Sequence, residues 1–445
     1  MKLRRSIVAM AAVTAAALSL VGCGSSKSGS SNNANGTPSG GSSSAAGASS
    51  SAAAGPKVTS INYWYWQDVT TDQTINNLAA EFKKKTGITV NITDSVAYPQ
   101  FYDKLINSIA AGNAPDATHV NTNMLGQLEA SHALAPLDSY INAWSGKDTI
   151  APAMWSYVKS PDGKATYAMP NKFLMFYMFY RKDIFQADGI TSFPKTQADF
   201  VAMDKKLYNP SKHQYGFDIR GGTGGQDQWA AWLAAGGAQV LDSSGNVAFN
   251  SDATKKSNDL YISMSKYAPP GAVNDGYPQI LANLKSGTSA VVINHLGGAK
   301  TLDAALGDKV GVALIPSLTG DPSQTTYMGT MNANAVLANS SKKQAAFEWI
   351  SFLDSNEAQM AIANSPNGYL PVTTQAQSDP TLLANPNIAV SIEAAKGKTT
   401  SWPAIPGTTV ASTKTWEPLF QGAVLGKNSN DAVIEGIANA LKTGQ

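Results

Sequence analysis

Between residues 61 and 121 the hydrophobic pattern switches back and forth between a period of two and a period of about 3.6, and this alternation constrains the fold more than any other feature of the chain. INYWYWQD (61–68) reads as a strand. TTDQTINNLAAEFKKKTG then repeats Ile75, Leu78, Ala79 and Phe82 at i, i+3, i+4 and i+7, an amphipathic helix ended by Lys83–Lys85 and a left-handed Gly87. ITVNIT alternates as a strand, FYDKLINSIAAGN puts Phe101, Leu105 and Ile109 on one helical face, and PDATHVN opens a third strand at Pro115. Strand, helix, strand, helix, strand predicts a parallel α/β sheet.

A second cycle begins near YAMPNKFLMFYMFYRKDIF. FPKTQADFVAMDKKLYN carries a capping-box-like start at Thr196 and Asp199, YGFDIR is a strand, QDQWAAWLAAGG a helix, and VLDSSGNVAF a hairpin turning at Gly245-Asn246. TSAVVIN and VGVALIPS are later strands, and the last third is mainly helical. Residues 57–445 exceed one typical core, so two lobes are expected.

The start of the chain has a different composition. Lys2, Arg4 and Arg5 precede an apolar run at 7–21 that is too short for a comfortable membrane span, the pattern of a signal peptide over residues 1–22. It ends at Cys23, the one cysteine, which leaves no disulfide to form. Residues 24–56 are Ser, Gly, Ala, Asn and Thr with two prolines and a single charge, a composition that cannot bury a core and reads as a flexible tether. Removal of the leader's three basic residues takes the formal charge from +2 to −1, which gives no footing for nucleic acid.

Reactive constellations are absent from the sequence. There is no H-E-x-x-H or G-x-S-x-G, no nucleophilic cysteine, and the histidines at 119, 132, 213 and 295 lack the close pairing of metal ligands. No cofactor is expected. Candidate binding residues sit instead at predicted strand ends, the edge where open α/β sheets hold ligands. Trp66, Gln67 and Asp68 end the first strand, with ligand contact and core packing both open for Trp66. Asn121 and Asn123 follow the third strand, either as ligand groups or as turn formers. Asn294, His295, Gly297 and Gly298 follow TSAVVI, where backbone N–H groups could approach a ligand or His295 could cap the core. Trp229 and Trp232, three apart on one helical face, favour the core but border a Gly-rich loop. Trp402 precedes Pro403, which pushes it into an extended loop with less complete packing, a candidate stacking platform. Tyr98 and Tyr369 complete the set.

Leu20-Val21-Gly22-Cys23, INYWYW, LAAEFKKKTGITV, AAGNAPDATHV, HALAPLDSYI, YAMPNKFLMFYMFYRKDIF, NGYLPV and WEPLFQGAVLGKNSNDAVIEGIANAL together resemble the family 1 extracellular solute-binding proteins of ABC importers, the maltodextrin-binding-like group. The resemblance implies a two-lobed, periplasmic-binding-protein fold of type II-like architecture, with parallel-rich sheets flanked by helices. It places the first lobe at 57–168 plus 311–360, the second at 169–310 plus 361–445, and three crossings near 168–171, 310–316 and 355–366. It further implies lipidation at Cys23, a monomer on the outer face of the cell membrane, capture of a carbohydrate (an oligosaccharide first of all) in the interlobe cleft, and delivery to a permease. A polyamine, phosphate or iron ligand on the same fold is the alternative. A surface glycan hydrolase would need two carboxylates about 5 to 9.5 Å apart across the cleft.

Overall fold

The computed structural model describes residues 58–66, 72–96, 98–160, 162–321, 325–366, 368–396 and 398–443. The expected leader, Cys23 and tether, and also Gln67 and Asp68, lie outside the described residues. The first cycle forms as its periodicity predicts: β1 (Ser60–Trp64), α1 (Thr74–Thr86), β2 (Thr89–Thr93), α2 (Tyr98–Ala110), β3 (Ala117–Asn121) and α3 (Thr122–Ala130), with β1 parallel to both β2 and β3. α1 buries Ile75, Leu78, Ala79 and Phe82, and Gly87 ends it at φ 80°. That conformation costs glycine little and any other residue more.

Seven further strands follow among the described residues: β4 (Ala168–Arg181), β5 (Tyr215–Phe217), β6 (Ser289–His295), β7 (Val310–Ala313), β8 (Thr326–Val336), β9 (Leu370–Pro371) and β10 (Lys398–Thr400). The path through the sheet is β2-β1-β3-β8-β4-β6-β5. β4 does the joining. Its residues 168–175 run antiparallel to β8, and residues 176–180 run antiparallel to β6, with 178–181 against β7. The exchange of partners thus falls between Met175 and Phe176. Beyond that point β5 pairs parallel with β6 and β10 parallel with β8, while β4 is antiparallel to β6 and β7, so the sheet there is mixed. The reason is directional: β4 arrives from the first lobe running against its new neighbours.

One hydrophobic cluster fills the first lobe around Ile61, Tyr63, Phe82, Trp349 and Ile362, and another fills the second around Phe200, Trp229, Trp232, Tyr261, Trp416 and Phe420. A third, with Trp66, Phe101, Tyr177, Ile280 and Leu296, spans the strands they share. Thr196 caps helix Gln197–Leu207 by accepting from the Asp199 N–H, as its spacing predicts. The hairpin at 241–247 is reduced to one bridge, Leu241 to Val247, around Gly245 at φ 83°.

Candidate binding site between the lobes

The aromatic strand end splits by face, as a period of two requires. Tyr63 and Tyr65 enter the first-lobe cluster, while Trp64 and Trp66 point toward the cluster shared by the lobes. Trp66 is 3% exposed, with His119 at 4.3 Å, Phe101 at 5.2 Å and Tyr98 at 5.4 Å between ring centroids. Next to it, on β4, Lys172 is 2% exposed. Its ammonium donates to Tyr65 Oη at 2.9 Å and lies 4.1 Å from the centre of the Tyr369 ring. A desolvated cation over aromatic faces is an electrostatically favourable arrangement. Burial, followed by the Lys172 charge, holds the His119 imidazole well below its usual range, so the ring is neutral. Its Nδ1 donates to Asn334 Oδ1 at 3.0 Å, an atom that also accepts from Tyr63 Oη at 2.7 Å.

Asn121, the last residue of β3, donates from Nδ2 to Tyr98 Oη at 2.9 Å. Asn123, in the first turn of α3, reaches the other lobe: its Nδ2 lies 3.4 Å from Asp227 Oδ1, and its carbonyl accepts from Thr409 Oγ1 at 2.6 Å. Asp227 stands in the first turn of helix Gly225–Ala235 and also accepts from Trp402 Nε1 at 2.8 Å. Burial raises the Asp227 carboxyl above its usual range, while the hydrogen bonds from Trp402 and Asn123 and the charge of Arg220 work against that rise. Trp402 itself is 1% exposed and lies beside Phe249. The sequence reading of a loosely packed Pro-flanked loop is therefore corrected. Pro403 does exclude helix, but the loop folds down on the second-lobe core.

On the second lobe, β6 ends in Asn294 and His295. His295 Nδ1 accepts from the Gly297 N–H at 3.0 Å, which occupies that backbone donor and leaves the ring proton on Nε2. Burial, then the charges of Arg220 and Lys172, push His295 down to about 3, so it too is neutral. Tyr277 stacks on it at 5.9 Å, and the Arg220 guanidinium lies 5.6 Å from the Tyr277 ring centre. Gly298 carries no side chain where a Cβ would stand 2.6 Å from Asn294 Nδ2. Trp229 and Trp232 lie elsewhere. Both are 0% exposed inside the second-lobe core, with indole N–H groups on Asn258 Oδ1 and the Ser257 carbonyl. Helical spacing of three put both rings on the packed face.

The structure places Trp66, Asn121, Asn123, Asn294 and His295 at or just after the ends of β1, β3 and β6, and Asp227, Arg220, Tyr277 and Lys172 were not among the residues named from sequence. For Asp227 a signal was present, an acid in the first turn of a helix opened by a Gly-rich loop. Three amide atoms carry chemical meaning: Asn121 Oδ1, Asn123 Oδ1 and Asn294 Nδ2 are buried and have no hydrogen-bond partner among the described residues. Leaving such a group unmet costs about 1 to 3 kcal/mol. Among the described residues no group of three or more His, Cys, Asp or Glu could hold a metal ion.

Residues 77–390 match the family described as bacterial extracellular solute-binding protein. A protein of Brucella abortus named as a binding protein is 25% identical over 368 residues, 79% of this chain and 84% of its own. The mannitol-binding protein of Pseudomonas aeruginosa is 28% identical over 242 residues, 52% of this chain and 55% of its own. Among solved structures, an ABC transporter solute-binding protein of Thermotoga lettingae bound with alpha-D-tagatose superposes with a TM-score of 0.76 at 21% identity, over 86% of this chain and 99% of that one. The shared fold is the two-lobed α/β architecture built here around β4 and β8.

Proposed function

The chain belongs to the bacterial extracellular solute-binding proteins, and on that premise we propose that it captures a neutral polyhydroxylated solute, a sugar or sugar alcohol, between its lobes. The orphaned amides of Asn121, Asn123 and Asn294 carry this reading, because they ask for partners that both donate and accept, as hydroxyls do. Trp66, Tyr98 and Trp402 supply apolar ring faces, and Asp227, Tyr277 and His295 supply further polar groups. The names of the mannitol- and tagatose-binding relatives support the same class.

In this reading the solute touches both lobes and so binds the closed form better, which shifts the population toward closure. The closed shape is then presented to the permease of an ABC importer, with Cys23 as the lipid anchor and the lobes divided near the boundaries expected from the sequence. No helix among the described residues is long and apolar enough to cross a membrane. The protein binds without catalysing a reaction. A polyamine would call for several unpaired carboxylates here; burial pushes the Asp227 carboxyl toward its neutral form, and of Asp103 and Glu417, on the cavity beside Tyr98 and Asn123, Asp103 pairs with Lys414.

A thermal-shift series with D-mannitol, D-tagatose, maltose, spermidine and inorganic phosphate tests the proposal, since a ligand of the native state raises the melting temperature by mass action. A rise with a sugar or polyol is expected. A rise confined to spermidine or phosphate would overturn it.

A further inference from the structure

Tyr369, whose ring lies over the Lys172 ammonium, is reached from a helix end that is tied to a distant part of the chain. Helix Asn356–Ala363 packs Ala358 and Ile362 into the first-lobe cluster and is capped at Asn364. Carbonyls at a helix C-terminus lack partners inside the helix. Here the Asn364 and Ser365 carbonyls both accept from Lys300 Nζ, 64 and 65 positions earlier. The Ser365 carbonyl also accepts from the Gly368 N–H at 3.1 Å, immediately before Tyr369 and β9, and β9 pairs with Lys172 and Phe173.

Lys300 stands in the first turn of helix Ala299–Leu306, which follows the end of β6 through Leu296–Gly298. Gly368 approaches that turn as well, since a Cβ there would stand 3.7 Å from the Leu296 carbonyl oxygen. Burial lowers the Lys300 ammonium below its usual range, and the charge of Asp72, just before α1, works against that fall. A lysine that only caps a helix sits in that helix's own last turn. This one comes from the segment that carries Asn294 and His295.

We propose that Lys300 is a positioning residue for ligand binding: it locks the end of helix Asn356–Ala363, and with it Gly368 and Tyr369, to the end of β6. Tyr369 and Lys172 then stand at a fixed separation from Asn294 and His295. The inference rests on the solute-binding reading above and extends it to a residue outside the described site. A site held in register needs less ordering by its ligand, and the gain appears chiefly as slower release.

Calorimetric titration and stopped-flow release on the full chain, with D-mannitol, D-tagatose and maltose, test it beside the unliganded melting curve. Lys300→Met keeps an apolar stem and removes the donors, whereas Lys300→Arg keeps donors. For the sugar that binds the unaltered chain most tightly, Lys300→Met should weaken binding about tenfold, mainly through faster release, and Lys300→Arg should restore it to within about threefold. The unliganded melting curve should move little, because a partly exposed ammonium adds little to stability. A lower melting temperature at unchanged affinity would make Lys300 a helix cap alone and overturn the proposal, as would equal losses of affinity in the Met and Arg variants. Hydrogen exchange on the unaltered chain needs no variant: bound sugar should slow exchange at the Gly368 amide together with residues 294–306, and slowing at 294–306 alone overturns the coupling. If none of the three sugars binds the unaltered chain, the solute reading falls and this inference with it.

Discussion

Trp229 and Trp402 are both buried tryptophans with a hydrogen-bonded indole, yet they belong to different kinds of environment. The Trp229 N–H ends on Asn258, whose own amide donates to the Asn430 carbonyl, and every partner lies within the second lobe. The Trp402 N–H ends on Asp227, which also takes the amide of Asn123 from the first lobe. The carboxyls repeat the contrast. Asp204, in the second-lobe core, accepts from the Phe217 backbone N–H at 2.6 Å, whereas Asp227 accepts from two side chains in different parts of the molecule. Burial alone does not separate core from site. What separates them is whether the chain of partners stays inside one lobe or crosses to the other.

The largest effect falls on the core member. Trp229→Ala removes a fully buried ring that packs on Phe249 and Trp416 and strips Asn258 of its donor. A loss of about 3 to 5 kcal/mol of stability is expected, read as a lower denaturant midpoint at unchanged slope. The fraction that remains folded should bind ligand as before. A weakened titration at undiminished stability would place Trp229 in the site and dissolve the contrast.

Trp402→Ala should show the opposite emphasis. Losing part of an indole's contact with ligand, at about 25 cal/mol per Å² of apolar area, is worth roughly 1 to 4 kcal/mol, so affinity should fall about tenfold to several hundredfold. Because the ring is buried against Phe249, the melting temperature falls as well. Titration well below the variant's melting temperature isolates the affinity term. Unchanged affinity there would make Trp402 a second Trp229.

The carboxyls sharpen the comparison through pH. Burial raises Asp204 to about 8 and Asp218 to about 7, so each stays protonated in the folded chain well above the pH at which it ionises when unfolded. The folded state then binds more protons than the unfolded state, and stability falls as pH rises from about 4 toward 8, by up to about 1.4 kcal/mol per pH unit for each group. Asp204→Asn should flatten the decline in melting temperature between pH 5 and 8 without altering ligand affinity. A slope that persists in full would show that Asp204 ionises freely.

The same contrast explains what could be read from sequence. Periodicity exposed α1, the β-α-β start and the split of Tyr63 from Trp64, because those patterns are set by each residue's immediate neighbours. β8 escaped notice. Its TYMGTMNANAV places Asn332 and Asn334 on a buried strand, and the burial of Asn334 makes sense only with Tyr63 and His119 beside it, residues more than two hundred positions away. Asp227 was missed for the same reason. Its partners are Trp402 and Asn123, and no local pattern carries a partner that distant.

The smallest predicted effect is the most discriminating, and it concerns two asparagines. Asn258 makes two hydrogen bonds within the second lobe, so Asn258→Ala leaves the buried Trp229 N–H unmet at about 1 to 3 kcal/mol of stability. Asn121 makes one, to Tyr98 Oη, and its Oδ1 is orphaned. Asn121→Ala loses a bond worth about 0.5 to 1.5 kcal/mol but also removes a buried acceptor that has no partner among the described residues, and the two terms oppose each other. The unliganded melting curve should therefore barely move. Affinity for the solute should fall by about two- to tenfold, because the orphaned oxygen is proposed to be met by a ligand hydroxyl. If Asn121→Ala lowers stability as much as Asn258→Ala does and leaves titration unchanged, the end of β3 is core, and the ligand lies elsewhere between the lobes.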